Sequence, residues 1–186
     1  MTSSQRQRRP IGNENPEDGI EDDEAARILV VDDDAGNLVA LRAILSELGQ
    51  PIVCAKSGDE ALRHLLNEEF AVILLDAFMP GLDGYETAEL IRARRKTEHV
   101  PIIFLSAINK EAAHLTRGYE VGAVDYVFKP VDPLILRSKV AVFIELHKRA
   151  QEIKRQAELE KRLLADNMLV RKEQQRTEAA LERSMA

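Results

Sequence analysis

Carboxylates that end apolar runs, a small hydroxyl and a lysine are the residues of this chain with the means to handle a phosphoryl group. Asp32-Asp33-Asp34 follow the apolar run 28–31, and Asp76 closes the run 71–75. Ser106 follows 101–105, and Lys129 follows 124–128. An ionisable group at the tip of a buried run costs free energy unless something compensates it. Two or three carboxylates about 4 Å apart repel by roughly 4 kcal/mol per pair at an effective dielectric near 20. Brought together, they must take up protons or hold a cation. An all-oxygen set completed by water suits Mg²⁺ better than a closed Ca²⁺ cage, and no EF-hand spacing is present. His64, His99 and His114 fall on separate stretches without ligand spacing, which argues against zinc. A carboxylate can act as nucleophile toward phosphorus. A hard cation and a lysine ammonium would neutralise the charge on the transferring oxygens. Singly, Asp32-Asp33 could cap a helix and Lys129 could be an ordinary surface lysine. The argument rests on their recurrence at the ends of four apolar runs.

Those ends must be positioned by something, and the pattern between them supplies it. Apolar runs at 27–31, 51–55, 71–75, 101–105 and 124–128 read as short strands. Between them lie helical patterns. Leu38, Leu41, Ile44, Leu45 and Leu48 recur at helical spacing before Gly49, and Ser57-Gly-Asp-Glu reads as a capping box opening the next helix. Further helices are expected at about 84–95 and 109–121. Five strands alternating with helices make consecutive βα units with right-handed crossovers. The expected fold is α/β: a doubly wound, five-stranded parallel sheet of flavodoxin-like order 2-1-3-4-5 with a long C-terminal helix. In such sheets ligands bind beyond the carboxyl ends of the strands, where the polar residues lie.

Composition narrows the class. The 186 residues carry a formal charge of −6, which argues against nonspecific nucleic-acid binding. No apolar run approaches the roughly 20 residues of a membrane span, and the arginines near the N-terminus have no apolar segment behind them. The single cysteine, Cys54, suits a reducing, cytoplasmic setting. Residues 1–24 set seven acidic side chains against three arginines and have few large apolar groups, so they read as a disordered acidic arm.

The segments ILVVDDDAGN, VILLDAFMPGLDGYE, IIFLSA and VDYVFKPVD resemble, in order and spacing, the motifs of the receiver domain of two-component response regulators. The likeness runs from about Arg27 to Leu146, which places the receiver at 25–146. It implies that Asp76 accepts a phosphoryl group from a histidine kinase or phosphotransfer protein in a Mg²⁺-dependent reaction. Asp33, Asp76 and the backbone carbonyl of Phe78 would bind the ion directly, and Asp32 through water. Ser106 and Lys129 would each hold a phosphoryl oxygen, and the Lys129-Pro130 bond would be cis. Ser106 and Tyr126 would form the switch. Phe78 and Ile108 occupy positions that tune acyl-phosphate lifetime, and being apolar they are expected to slow hydrolysis. A phosphatase of the haloacid dehalogenase type also uses an aspartyl nucleophile. It wants a second Asp two residues on, where this chain has Phe78. No separate output enzyme is visible; the receiver would catalyse only its own phosphorylation and dephosphorylation.

From Leu134 to Met185 there is no glycine or proline. Asp132 is placed to cap a helix with Pro133 at its first position, and a continuous helix would run roughly 80 Å. Residues 147–186 therefore read as a coiled-coil extension forming a parallel homodimer. Its seam is expected at Leu146, Ala150, Ile153, Ala157, Leu164, Leu181 and Met185, and Leu159, Leu163 and Val170 mark a stutter. His147 reads as part of a solvated face. The chain ends within helical sequence, so it could equally be the N-terminal receiver part of a larger hybrid sensor kinase or another receiver-regulated enzyme.

Overall fold

The computed structural model describes residues 25–107 and 125–185. The acidic arm, Ile108 and the helix expected at 109–121 lie outside the described residues. Five strands, β1 (Ile28–Val31), β2 (Ile52–Ala55), β3 (Val72–Asp76), β4 (Ile102–Ala107) and β5 (Asp125–Lys129), form one sheet. Its order is β2-β1-β3-β4-β5, and every pairing is parallel. The described helices are α1 (Ala35–Ser46), α2 (Gly58–Asn67), α3 (Gly84–Arg92) and α4 (Pro133–Met185).

The strands are largely apolar because the sheet is covered on both faces. On one face Ile28, Val30, Val72, Leu74, Ile103 and Leu105 pack with α1 and the root of α4. On the other, Leu29, Val31, Ile73, Leu75 and Phe104 pack with α2 and α3. The α2–α3 side is tight at one point. A Cβ on Gly58 would stand 2.2 Å from Thr87 Oγ1 and 2.9 Å from Leu82 Cδ2, so only glycine fits there.

Helix starts follow the local chemistry. Asp34 accepts from the Asn37 amide and caps α1. Ser57 caps α2, but Glu60 reaches one residue further back than a capping box requires and takes the Lys56 amide at 2.7 Å. The full reciprocal box belongs to α3, between Asp83 and Glu86. That helix stops at Arg92, earlier than its sequence pattern suggests. Thr97 Oγ1 donates to the Ile91 carbonyl at 2.8 Å, while Arg92 donates to the carbonyls of Glu98 and Val100. The backbone groups there find partners without another helical turn.

Asp132 caps α4 through the amides of Leu134 and Ile135. The first three turns bury Leu136, Val140 and Ile144 on the sheet. His147 is half-buried with Glu69 nearby, which corrects the solvated-face expectation. Gln151 donates to Glu69 at 3.2 Å. From Ile153 onward α4 leaves the body of the domain, and nearly every described residue on it is exposed. No helix among the described residues is long and apolar enough to cross a membrane.

Candidate active site

Parallel pairing brings the carboxyl ends of β1, β3, β4 and β5 to one edge of the sheet. Asp76 is the last residue of β3 and stands opposite Leu105. Ser106 pairs with Phe128, and Lys129 pairs with Ala107. The polar residues are thus the closing rungs of the ladder, a residue or two further into the strands than the apolar runs alone define. The backbone holds them before any ligand arrives.

The carboxylates of Asp32, Asp33 and Asp76 each offer an oxygen within 4.8 Å of the others. Lys129 Nζ joins two of them, at 2.8 Å from Asp32 Oδ2 and 3.1 Å from Asp76 Oδ2. Asp32 is fully buried. Its oxygens accept from Lys129, from the Asp34 amide at 2.9 Å, and from Asn37 Nδ2 at 3.0 and 3.1 Å. Asp33 is exposed. Asp76 is 7 % exposed, enough for one edge of the carboxylate to face the cleft.

Burial pushes the Asp76 carboxyl above its usual range and the neighbouring charge of Asp32 adds to this, although Lys129 and the Phe78 amide pull the other way. Burial alone would lower Lys129. The hydrogen bonds and charges of Asp32 and Asp76 together outweigh it and hold the ammonium above its ordinary value. The site therefore keeps a firm positive charge beside a carboxylate whose own charge is under-compensated. Such a set fits a hard divalent cation. Such an ion would supply the missing positive charge at this acidic cluster.

Ser106 is buried at the end of β4. Phe78 is half-buried and its ring meets Tyr85 edge-on, with centroids 6.2 Å apart. Its amide lies 3.5 Å from Asp76 Oδ1. Tyr126 already lies inside, 7 % exposed and stacked on Phe104 at 5.4 Å; Phe104 in turn meets Tyr85 at 4.8 Å. A file of aromatic rings thus runs behind the cleft from Phe78 to Tyr126. The Lys129-Pro130 bond is cis, as the resemblance implies. Two contributors escaped the sequence reading. Asn37 grips both oxygens of Asp32, and Gly84 sits so close to β3 that a Cβ would fall 2.1 Å from the Asp76 carbonyl. Of the residues expected here, only Ile108 lies outside the described part.

A parallel α/β sheet with an acidic cluster and a strand-end lysine defines a class of phosphoryl-handling folds, and comparison with known proteins narrows it. The pattern of the response regulator receiver domain matches residues 28–141. The chain belongs to that family. A probable cyclic di-GMP phosphodiesterase of Vibrio cholerae is 39% identical over 135 residues, covering 72% of this chain and 30% of the relative. The transcriptional regulatory protein ResD of Bacillus subtilis is 42% identical over 115 residues, 61% of this chain and 46% of ResD. The chain thus spans less than half the length of these relatives. Among solved structures, the receiver domain of the sensor histidine kinase PA1611 from Pseudomonas aeruginosa is 30% identical with a TM-score of 0.60. It covers 65% of this chain and 98% of its own, and it has a magnesium ion coordinated in its active-site cleft. The receiver domain of a histidine kinase from Syntrophus aciditrophicus gives a TM-score of 0.61 at 29% identity, over 65% of this chain and 91% of its own.

Proposed function

We propose that this chain is a phosphorylation-dependent switch in which Asp76 takes a phosphoryl group from the phosphohistidine of a kinase or phosphotransfer protein. The observation that carries this reading is Lys129 bridging Asp32 and Asp76 at the end of the sheet. An oxygen of Asp76 attacks phosphorus, the new P–O bond replaces the P–N bond, and the histidine nitrogen leaves with the electron pair. Lys129 and Ser106 take the phosphoryl oxygens, and Asp32 keeps Lys129 charged and oriented. Asp33, Asp76 and the Phe78 carbonyl would hold Mg²⁺, which supplies charge neutralisation on the transferring group. Asp32, its oxygens already engaged four times, would act on the ion only indirectly.

Phosphorylation adds about −1.5 to −2 charges at this end of β3. Ser106 would be drawn toward them, with Tyr126 filling the space behind it. Phe78 shields the acyl phosphate from water, so Phe78→Asn should shorten its lifetime. The setting is a reducing cytoplasm, and no nucleic-acid partner is expected for this chain.

The output is a parallel homodimer of α4. Ile135, Val142, Leu146, Ile153, Leu164 and Met168 are each at least half exposed. At about 100° per residue they fall within roughly 80° of arc on one side of the helix. Val142, Ile153 and Leu164 follow at 11-residue spacing, which is what a heptad with a stutter becomes locally. A second reading, in which the helix passes the signal to an output module of a larger protein, is favoured by the greater length of the relatives.

The direct test is incubation with a small-molecule phosphoramidate donor and Mg²⁺, followed by intact-mass analysis. The chain should gain one phosphoryl group, lost with chelator and in Asp76→Asn. A gain that survives Asp76→Asn would overturn the assignment.

A further inference from the structure

The loop 77–83 joins the tip of β3 to the cap of α3, and its two ends are tied together. Gly84 donates its amide to the Ala77 carbonyl at 3.2 Å and rests against the Asp76 carbonyl, where no Cβ would fit. Tyr85, the next residue, is thereby pinned to the tip of β3. Its ring is 1% exposed, and it meets Phe78 edge-on at 6.2 Å on one side and Phe104 at 4.8 Å on the other. Phe104 is fully buried and stands directly opposite Tyr126 across the β4–β5 ladder, their rings 5.4 Å apart. All three separations lie in the range of interacting aromatic pairs. Of the four rings only that of Phe78 is half-buried, so the file is open at the loop and closed behind it.

We infer that Tyr85 and Phe104 are positioning residues that couple the loop 77–83 to Tyr126, so that a divalent cation at the acidic cluster is felt on β5 before any phosphoryl group arrives. This coupling rests on the cation and switch assignments proposed above, and it adds a second route to Tyr126 beside the one through Ser106. At one end of the file Phe78 would lend its carbonyl to the cation, and its amide lies 3.5 Å from Asp76 Oδ1. At the other end stands Tyr126. A close-packed interior has little free volume, so a buried ring yields to one neighbour only by displacing the next. Edge-on and offset rings also hold each other's orientation, because the positive edge of one faces the negative face of another. Fixing the Phe78 carbonyl fixes the loop, and with it the angle at which Phe78 meets Tyr85. Tyr126 then keeps to a narrower range of positions against Phe104. The effect is reciprocal: whatever holds Tyr126 in place strengthens cation binding at the loop by the same factor.

The experiment is ¹⁹F NMR on the full chain labelled with fluorotyrosine, with Mg²⁺ binding followed in parallel by titration calorimetry. The sequence holds three tyrosines, and Tyr126→Phe identifies the resonance of residue 126. That resonance should shift as the calorimetric site fills. At saturating Mg²⁺ the shift should persist in Tyr85→Phe, which keeps the ring, and fall several-fold in Tyr85→Leu and in Phe104→Leu. The two leucine variants remove rings at different points, so misfolding of one leaves the other to decide. An unmoved Tyr126 resonance in the saturated parent would overturn the coupling. So would a shift that the leucine variants keep and Ser106→Ala loses, which would give the whole effect to the route through Ser106. Absence of Mg²⁺ binding in the parent would overturn the cation assignment itself, and the coupling with it.

Discussion

Asp76 occupies a place where its charge is opposed by burial and only partly relieved by Lys129, so in the absence of metal the carboxylate works against the fold. Asp76→Asn should raise the thermal midpoint in chelator. A gain of about 1 kcal/mol corresponds to roughly 4–8 °C for a domain near 100 residues, and differential scanning calorimetry reads it directly. The same substitution should abolish stabilisation by Mg²⁺. Asn37→Leu should weaken Mg²⁺ binding by about tenfold, in the range found for residues that orient metal ligands, because it releases both oxygens of Asp32. Titration calorimetry checks this. Asp32, Asp33, Asp76 and Lys129 were legible because each closes an apolar run, a pattern visible without coordinates. Asn37 was not, since its role depends on the first turn of α1 folding back over β1. Asp34, read only as the third of three acids, caps that helix instead.

The elements hold these residues through close contacts that single substitutions can test. Gly84→Ala drives a Cβ into the backbone of Asp76 and Ala77, and should cost roughly 1–3 kcal/mol in urea unfolding, the usual range for overpacking. Because the clash falls on the Asp76 carbonyl, Mg²⁺ affinity should fall with it. His147 gives the root of α4 a pH dependence. Burial lowers its pKa and Glu69 restores only part of the shift, so the folded chain holds a neutral imidazole where the unfolded chain would take a proton. Its contribution is present above about pH 6.5, the ordinary histidine value, and is lost as pH falls below it. The protection of amides around 144–151, corrected for the intrinsic pH dependence of exchange, should weaken as pH falls below about 6.5, and His147→Gln should flatten that dependence. Strand order and the positions of the described helices followed from the periodicity because the central strands β1, β3 and β4 are buried on both faces. The end of α3 did not, because Arg92 and Thr97 reach carbonyls several residues away that no local pattern reveals. Nor did the burial of His147, which depends on a loop 78 residues earlier in the chain meeting α4.

At the scale of the molecule, the receiver is a packed body and α4 projects from it without cover. Ile153→Asp with Leu164→Asp should leave the thermal midpoint of the receiver almost unchanged, since both side chains are more than half exposed. It should convert a dimer to a monomer by light scattering at micromolar concentration. The tail was legible from the absence of glycine and proline over some fifty residues. The choice of seam in the proposed dimer is not fixed by sequence alone, because apolar positions lie on more than one side of the helix and only exposure separates those that pack on the sheet from those left over.

The 53 residues of α4 are one unbroken helix gripped only over its first few turns. Such a rod is a lever. Over its roughly 80 Å, a tilt of about 5° at the root carries the far end sideways by about 7 Å, more than the pitch of a helical turn. A displacement at β5 too small to disturb the core would thus arrive at Met185 as a movement large enough to change which side chains meet.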